Sequence, residues 1–395
     1  MNSMKLRTNF LLSISFIICQ FLTFCQKSQT PEIYLEPIYK VNYGDATADK
    51  PQSKSWTNIH GQWLIVGDED GPKLLKNDAV GWTSQTAVNK EWLGLPSRAD
   101  VWSKGDVAHL VLVEECALVV VQISYYEQNK SYEHIWKVSL PIPEDCQSIE
   151  TATITQDTKN EFWVCADLNE KVMVWHSPNG KTWSAPVTLA DDINSDDISL
   201  VVSLKNQVSV IWSNQNTESI NERIHIDGDA PNQWSELIIV QKGDKNADDH
   251  INATVFENGE LALVSKNSVD KKGEPQFVFR LRDTNGNWTN IPYENLSKDR
   301  SPSRPIINHV ASGKTFEVHT VKNKATDRYY MSVNEIVKSK EGWKFTELVQ
   351  LKTKINGKNG DATSSKASFA ENEPKLIFFS DNLGNVYAFD LDSLF

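Results

Sequence analysis

From about Trp56 onward the chain is a succession of short apolar runs, some alternating and some continuous, each closed by Gly, Asn or Asp. Alternation at a period of two marks a half-buried strand, and no stretch sustains the i, i+3, i+4 spacing of an amphipathic helix. Runs that follow this pattern open on Trp82, Trp136, Trp183, Trp234, Trp288 and Trp343, at gaps of 54, 47, 51, 54 and 55 residues. One small sheet cannot bury both its faces, so a strand repeat of this length predicts sheets packed against one another in a radial array.

Three further strand candidates precede each tryptophan. In the third repeat the four are residues 150–155, 161–166, 171–176 and 182–189; in the fourth, 198–204, 207–213, 223–227 and 233–240; in the fifth, 250–257, 260–265, 276–282 and 287–293. The first repeat (56–88), second (98–141) and sixth (304–351) keep the same order. Three strands follow Trp343, at 366–370, 375–380 and 385–391, and one stray strand lies near the start, at 32–43. Pairing that strand with the last three completes a seventh sheet and removes two open edges. The predicted fold is all-β: one β-propeller domain over residues 32–395, with seven four-stranded blades closed by both chain ends. Six blades is the alternative, with one terminal piece acting as a cap. The recurring tryptophans are expected to wedge between blades as packing, and Trp92, in a linking loop, is the candidate for an exposed ligand platform.

Ordinary proportions of charged (23%) and hydrophobic (39%) residues fit a folded protein with a sizeable core. Residues 1–25 read as an export signal: Lys5 and Arg7 precede an apolar run over residues 10–24 that is short for a membrane span. Its end, Leu22-Thr23-Phe24-Cys25, resembles a bacterial lipobox, which makes Cys25 the lipidation candidate. Phe24 departs from the small residue usual there, and cleavage nearby without a lipid is the alternative. Residues 26–31 form a polar tether. Beyond Cys25 there remain Cys116, Cys146 and Cys165, so at most one disulfide forms, and Cys116 and Cys165 are expected to behave as small buried hydrophobes. No Cys/His cluster suggests a metal. The net charge of −12 disfavours nucleic acid and anionic lipid as partners.

The turns before two of the tryptophans, His176-Ser177-Pro178-Asn179-Gly180-Lys181-Thr182-Trp183 and Asp283-Thr284-Asn285-Gly286-Asn287-Trp288, resemble degenerate Asp-box turns of the sialidase-like, or BNR-repeat, propellers. Gly180, Thr182 and Trp183 match, while Pro178 stands where the Asp would fall. The resemblance covers about ten residues in one blade and fewer in the other. It implies a structural hairpin between third and fourth strands, on the face away from the substrate, and implies nothing about catalysis. A sialidase-like site needs three arginines, a Tyr–Glu pair and an Asp, and the Phe-Arg-Ile-Pro signature of those enzymes is absent.

Arg98 (LPSRADV) and Arg304 (SPSRPII) fall at matching places, just before the first strands of their blades, at the rim of a propeller's central channel. Asp192, Asp196, Asp197, Asp248, Asp249, His250, Asp299 and Arg300 lie in loops entering first strands. Arg98, Asp197, Asp249, His250, Arg300 and Arg304 are therefore the candidate channel-mouth site. Carboxylates gathered there could serve as an acid–base pair or hold a cation such as Ca²⁺, although turn formation explains them equally. Arg223, Arg280 and Arg282, in or beside third strands, are expected to be solvated. The functional expectation is an exported, monomeric cell-envelope module that binds glycan or protein, in the periplasm or at the outer cell surface, with any membrane contact made through an N-terminal lipid. A divergent sialidase-like exo-glycosidase is the alternative.

Overall fold

The computed structural model describes residues 30–49 and 51–395, so the leader, Cys25 and residues 26–29 lie outside the described residues. All described strands fall into seven sheets, each with four consecutive antiparallel strands or their equivalent. Blades one to six run Ser55–Ser84, Arg98–Ser139, Ile149–Ala190, Ser199–Lys242, Ile251–Asn295 and Arg300–Thr353. The first strand of each is innermost, packing beside the first strands of neighbouring blades around one axis. The core is accordingly a ring of apolar clusters, one between each pair of blades, for example Leu200, Ile211 and Ile220 of blade four against Leu261 and Leu263 of blade five.

Both chain ends close the ring. The stray N-terminal strand divides in two: Tyr39–Lys40 pairs with Asn385–Asp390 as the outermost strand of blade seven, and Glu32–Leu35 adds a fifth, parallel strand to the outer edge of blade six. The innermost strand of blade seven is Asn359–Thr363, not residues 366–370. This polar NGDAT segment lacks the apolar pattern that marks strands elsewhere, because only Ala362 enters the core between blades six and seven while Asp361 meets polar groups of the axis. Residues 366–370 instead cross the channel beyond it, with Ser365 bridging Ser55 of blade one and Phe369 bridging Val310 of blade six.

The recurring tryptophans pack between blades, as expected. Trp183, Trp234, Trp288 and Trp343 each lie against the preceding blade, and Trp82 meets Phe378 of blade seven edge to face at 5.1 Å. Trp136 faces the following blade instead. A register shift between His134 and Trp136 turns the strand over, so Tyr132 is buried against blade one while Trp136 packs toward blade three. Gly180 of blade three, in a positive-φ turn, lies so close that a Cβ would stand 3.1 Å from the Trp136 ring.

Three further expectations are overturned. Trp92 is fully buried between blades one and two, placed there by the short helix Thr86–Glu91, the one α-helix among the described residues. Arg280 and Arg282 are buried, not solvated: Arg282 pairs with Glu222 at 3.1 Å, and Arg280 donates to Ser265 and to Gln241 Oε1 at 2.9 Å. Cys116 is not a lone hydrophobe but forms a disulfide with Cys146, whereas Cys165 is buried and free.

Candidate functional site at the channel mouth

Because first strands start at one face and second strands return to it, the loops entering first strands and the hairpins between second and third strands share that face. Arg98, Asp249 and His250 lie there, at or just before the start of their first strands, whereas Arg304, expected to precede its strand, lies inside Arg300–His309 at an irregularity that turns it toward the axis. Each is already engaged. Arg98 pairs with Asp49 at 2.6 Å and donates to the Glu150 carbonyl at 2.9 Å. Arg304 adopts φ +59°, at a register shift in its strand, and its Nε pairs with Asp361.

His250 is buried with its Nδ1 against Asp248 Oδ1, at 2.6 Å, and against Asp249. Its Nε2 lies 3.4 Å from Ser303 Oγ. The ligand atoms of Asp248, Asp249 and His250 come within 4.8 Å of one another. The second oxygen of Asp248, however, accepts from Lys266 Nζ at 2.5 Å and from Ser268 Oγ at 2.9 Å. An ammonium thus occupies the place of a cation's charge, and the set does not supply the six to eight oxygens that Ca²⁺ takes.

The axis behind these residues is filled from both ends. From the mouth face, Thr47 Oγ1 donates to the Asp361 carbonyl (2.7 Å) and Gln52 Nε2 to the Ala152 carbonyl (2.9 Å), so the segment before blade one spans from blade seven to blade three. Lys54, fully buried, donates to Gln52 Oε1 (2.7 Å) and the Ala99 carbonyl (2.6 Å), and burial brings its pKa down to about 8. Asp100 accepts from the backbone of Ser53 and Ile154, both at 2.7 Å, and pairs with Lys366, which enters from the opposite face. Ser368 Oγ then reaches the Val255 carbonyl at 3.0 Å. Asp45, near Asp361, has its pKa raised by burial and by that neighbouring carboxylate.

Two candidates stand apart from this group. Asp197 accepts from the backbone of Asn194 (2.7 Å) and Gln215 (2.9 Å), folding its own loop, and burial raises its pKa. It lines a recess of about 180 Å³ with Asp167, whose burial raises its pKa well above the carboxylate range, and with Glu150 and Glu170. Arg300 pairs with Glu347 at 3.1 Å over blade six. Asp49, Lys54, Asp100, Asp361 and Lys366 were missed by sequence reasoning. Asp100 carried a usable signal: a carboxylate inside an innermost strand, flanked by Ala99 and Val101, has only the axis to face.

No protein-family model matches the chain, and no curated protein matches it in sequence. Among solved structures, a protein from Lactobacillus plantarum superposes with a TM-score of 0.51 at 15% identity, covering 89% of this chain and 92% of that one. An α-L-arabinanase from Penicillium chrysogenum, complexed with arabinobiose, gives 0.45 at 11% identity, over 77% of this chain and 98% of that one. The NanB sialidase of Streptococcus pneumoniae gives 0.38 at 11% identity over 79% of this chain, which spans about half (52%) of the sialidase. At these identities the likeness is one of fold.

Proposed function

We propose that this chain is an exported cell-envelope β-propeller whose mouth face binds glycan or protein without turning it over, with residues 1–25 as its export signal and Cys25 as the lipidation site. The observation that carries the reading is the state of the two mouth arginines. Arg98 and Arg304, the pair positioned to grip a substrate carboxylate, are committed to Asp49 and Asp361, and the channel behind them is filled by Lys54, Asp100 and Lys366. A hydrolase of the sialidase type needs such arginines and carboxylates turned toward an open cavity. The Cys116–Cys146 disulfide supports export, since such bonds persist in oxidising compartments.

The test is a glycan array together with a chromogenic glycoside screen of the mature protein, with Arg98→Ala and Arg304→Ala in parallel. Retention of a glycan or protein without turnover is the expected result. Turnover abolished by either substitution would replace this reading with a divergent exo-glycosidase whose site is the channel mouth.

A further inference from the structure

A concavity on the mouth face lies off the axis, over blade six. It encloses about 660 Å³, within the range of roughly 300–1,000 Å³ typical of small-molecule sites. Its walls come from four places: the strand Glu32–Leu35, the entry to the first strand of blade six at Asp299 and Arg300, the hairpin between the second and third strands of that blade, and the end of its fourth strand with the chain leaving it at Thr353. The N-terminal strand is built for this position. Ile33 and Leu35 turn into the core between blades six and seven, and alternation then sets Glu32 and Tyr34 on the other face, along the cleft.

The lining has a specific chemistry. Tyr34 is 53% exposed, and Tyr329 contributes a second ring to the lining of the same cleft. Around them stand planar groups that donate or accept at two adjacent positions: Asp299, Arg300, Arg328 and Gln350. Arg300 Nε is buried with no hydrogen-bond partner, a donor left over after the guanidinium has met Glu347.

The charges largely cancel. Glu32 is paired with Lys352 at 2.5 Å and Arg300 with Glu347, leaving one cation, Arg328, and one anion, Asp299, without an ion pair among the described residues. Aromatic faces suit the C–H face of a pyranose ring, and bidentate planar groups suit pairs of neighbouring hydroxyls. Without surplus charge, nothing in the wall selects an anion.

The geometry points to this cleft as the seat of a short uncharged oligosaccharide, held between Tyr34 and Tyr329. This deepens the binding-module reading and rests on it. It also assigns the strand Glu32–Leu35 a task beyond covering the outer edge of blade six.

The test uses the mature protein on an array of uncharged, uronate-containing and sulfated oligosaccharides, followed by calorimetric titration of the best-retained glycan. Tyr34→Ala and Tyr329→Ala are compared with wild type after thermal melts establish that both fold. The expected result is retention of uncharged glycans, weakened by at least about tenfold in each variant, the loss of roughly 1.4 kcal/mol that removal of an aromatic anchor brings. Affinity should change less than about twofold between 0.05 and 0.5 M NaCl, since no net charge needs screening. A glycan that binds equally well to both variants would overturn the cleft while leaving the binding-module reading in place. Binding restricted to uronate or sulfated glycans and lost with salt would overturn the uncharged ligand. Retention of no glycan at all would remove the cleft and the glycan arm of the reading together.

Discussion

His109 shows how a single residue in a blade interface sets a condition on the fold. Its ring lies among Phe162 (4.3 Å), Trp136 (5.8 Å) and Trp102 (5.9 Å), its Nδ1 is buried without a hydrogen-bond partner, and burial lowers its pKa to about 4. The unfolded chain, with an ordinary histidine near pH 6.5, binds a proton in the window between these values that the folded chain refuses. Stability therefore falls as pH drops from about 6.5 to 4, by up to about 3 kcal/mol from this residue at 1.4 kcal/mol per pKa unit. His109→Phe keeps the aromatic packing and removes the titration, so urea unfolding at pH 7 and pH 4.5 should show a smaller acid-induced loss in the variant. Equal losses in the two proteins would refute the assignment. The chain order alone conceals such positions. Trp92 reads as a loop residue and Arg280 as a solvated one, and only the neighbouring blade reveals that both are buried. The periodic tryptophans were legible because their repetition itself implies a shared packing position.

Elements were legible wherever a strand alternates and illegible where its partner dictates its course. The fourth strands of blades three and four begin only at Val187 and Ile238, later than their apolar runs suggest, because Trp183 and Trp234 occupy irregular backbone that leads into the ladder. The disulfide belongs to the same category. Three cysteines past the leader allow several pairings or none, and register decides between them: Cys116 sits in the turn between the second and third strands of blade two, and Cys146 in the connection to blade three. The Glu115 carbonyl accepts from Ile149 N at 2.9 Å beside it, so the bond fastens an interblade connection to a hairpin tip. Closing a loop with a sequence separation of 30 residues restricts the unfolded chain by about 3–4 kcal/mol on chain-entropy grounds. Calorimetry with and without dithiothreitol should show a lower melting temperature on reduction. The double variant Cys116→Ser/Cys146→Ser should melt at that lower temperature and ignore the reductant. A wild-type melt indifferent to dithiothreitol would contradict the bond's contribution.

At the scale of the whole molecule, closure by both chain ends was legible as a missing strand at one end and a surplus strand at the other, while the sealing of the axis was not. The segment before blade one contains no strand pattern and the one after the innermost strand of blade seven reads as a blade strand at 366–370, so their role as a seal appears only where Lys54, Asp100 and Lys366 meet. Closure and sealing are separable. A chain beginning at Glu36 loses only the added parallel strand and the burial of Ile33 and Leu35, each contributing at most about 2 kcal/mol. A chain beginning at Val41 also loses Tyr39–Lys40 and with it the Ile38 N–H bond to the Val386 carbonyl, at 2.8 Å, leaving blade seven with three strands and an open edge. Both shortened chains retain the axial segment, so any difference between them reports closure alone. The expected order of melting temperature is full mature chain, then the chain from Glu36, then the chain from Val41. Concentration-dependent association should be most pronounced in the last, because an unpaired strand edge is a template for another chain. Equal melting temperatures for the two shortened chains would mean that the two-residue outermost strand contributes nothing and that the axial contacts hold the ring shut by themselves.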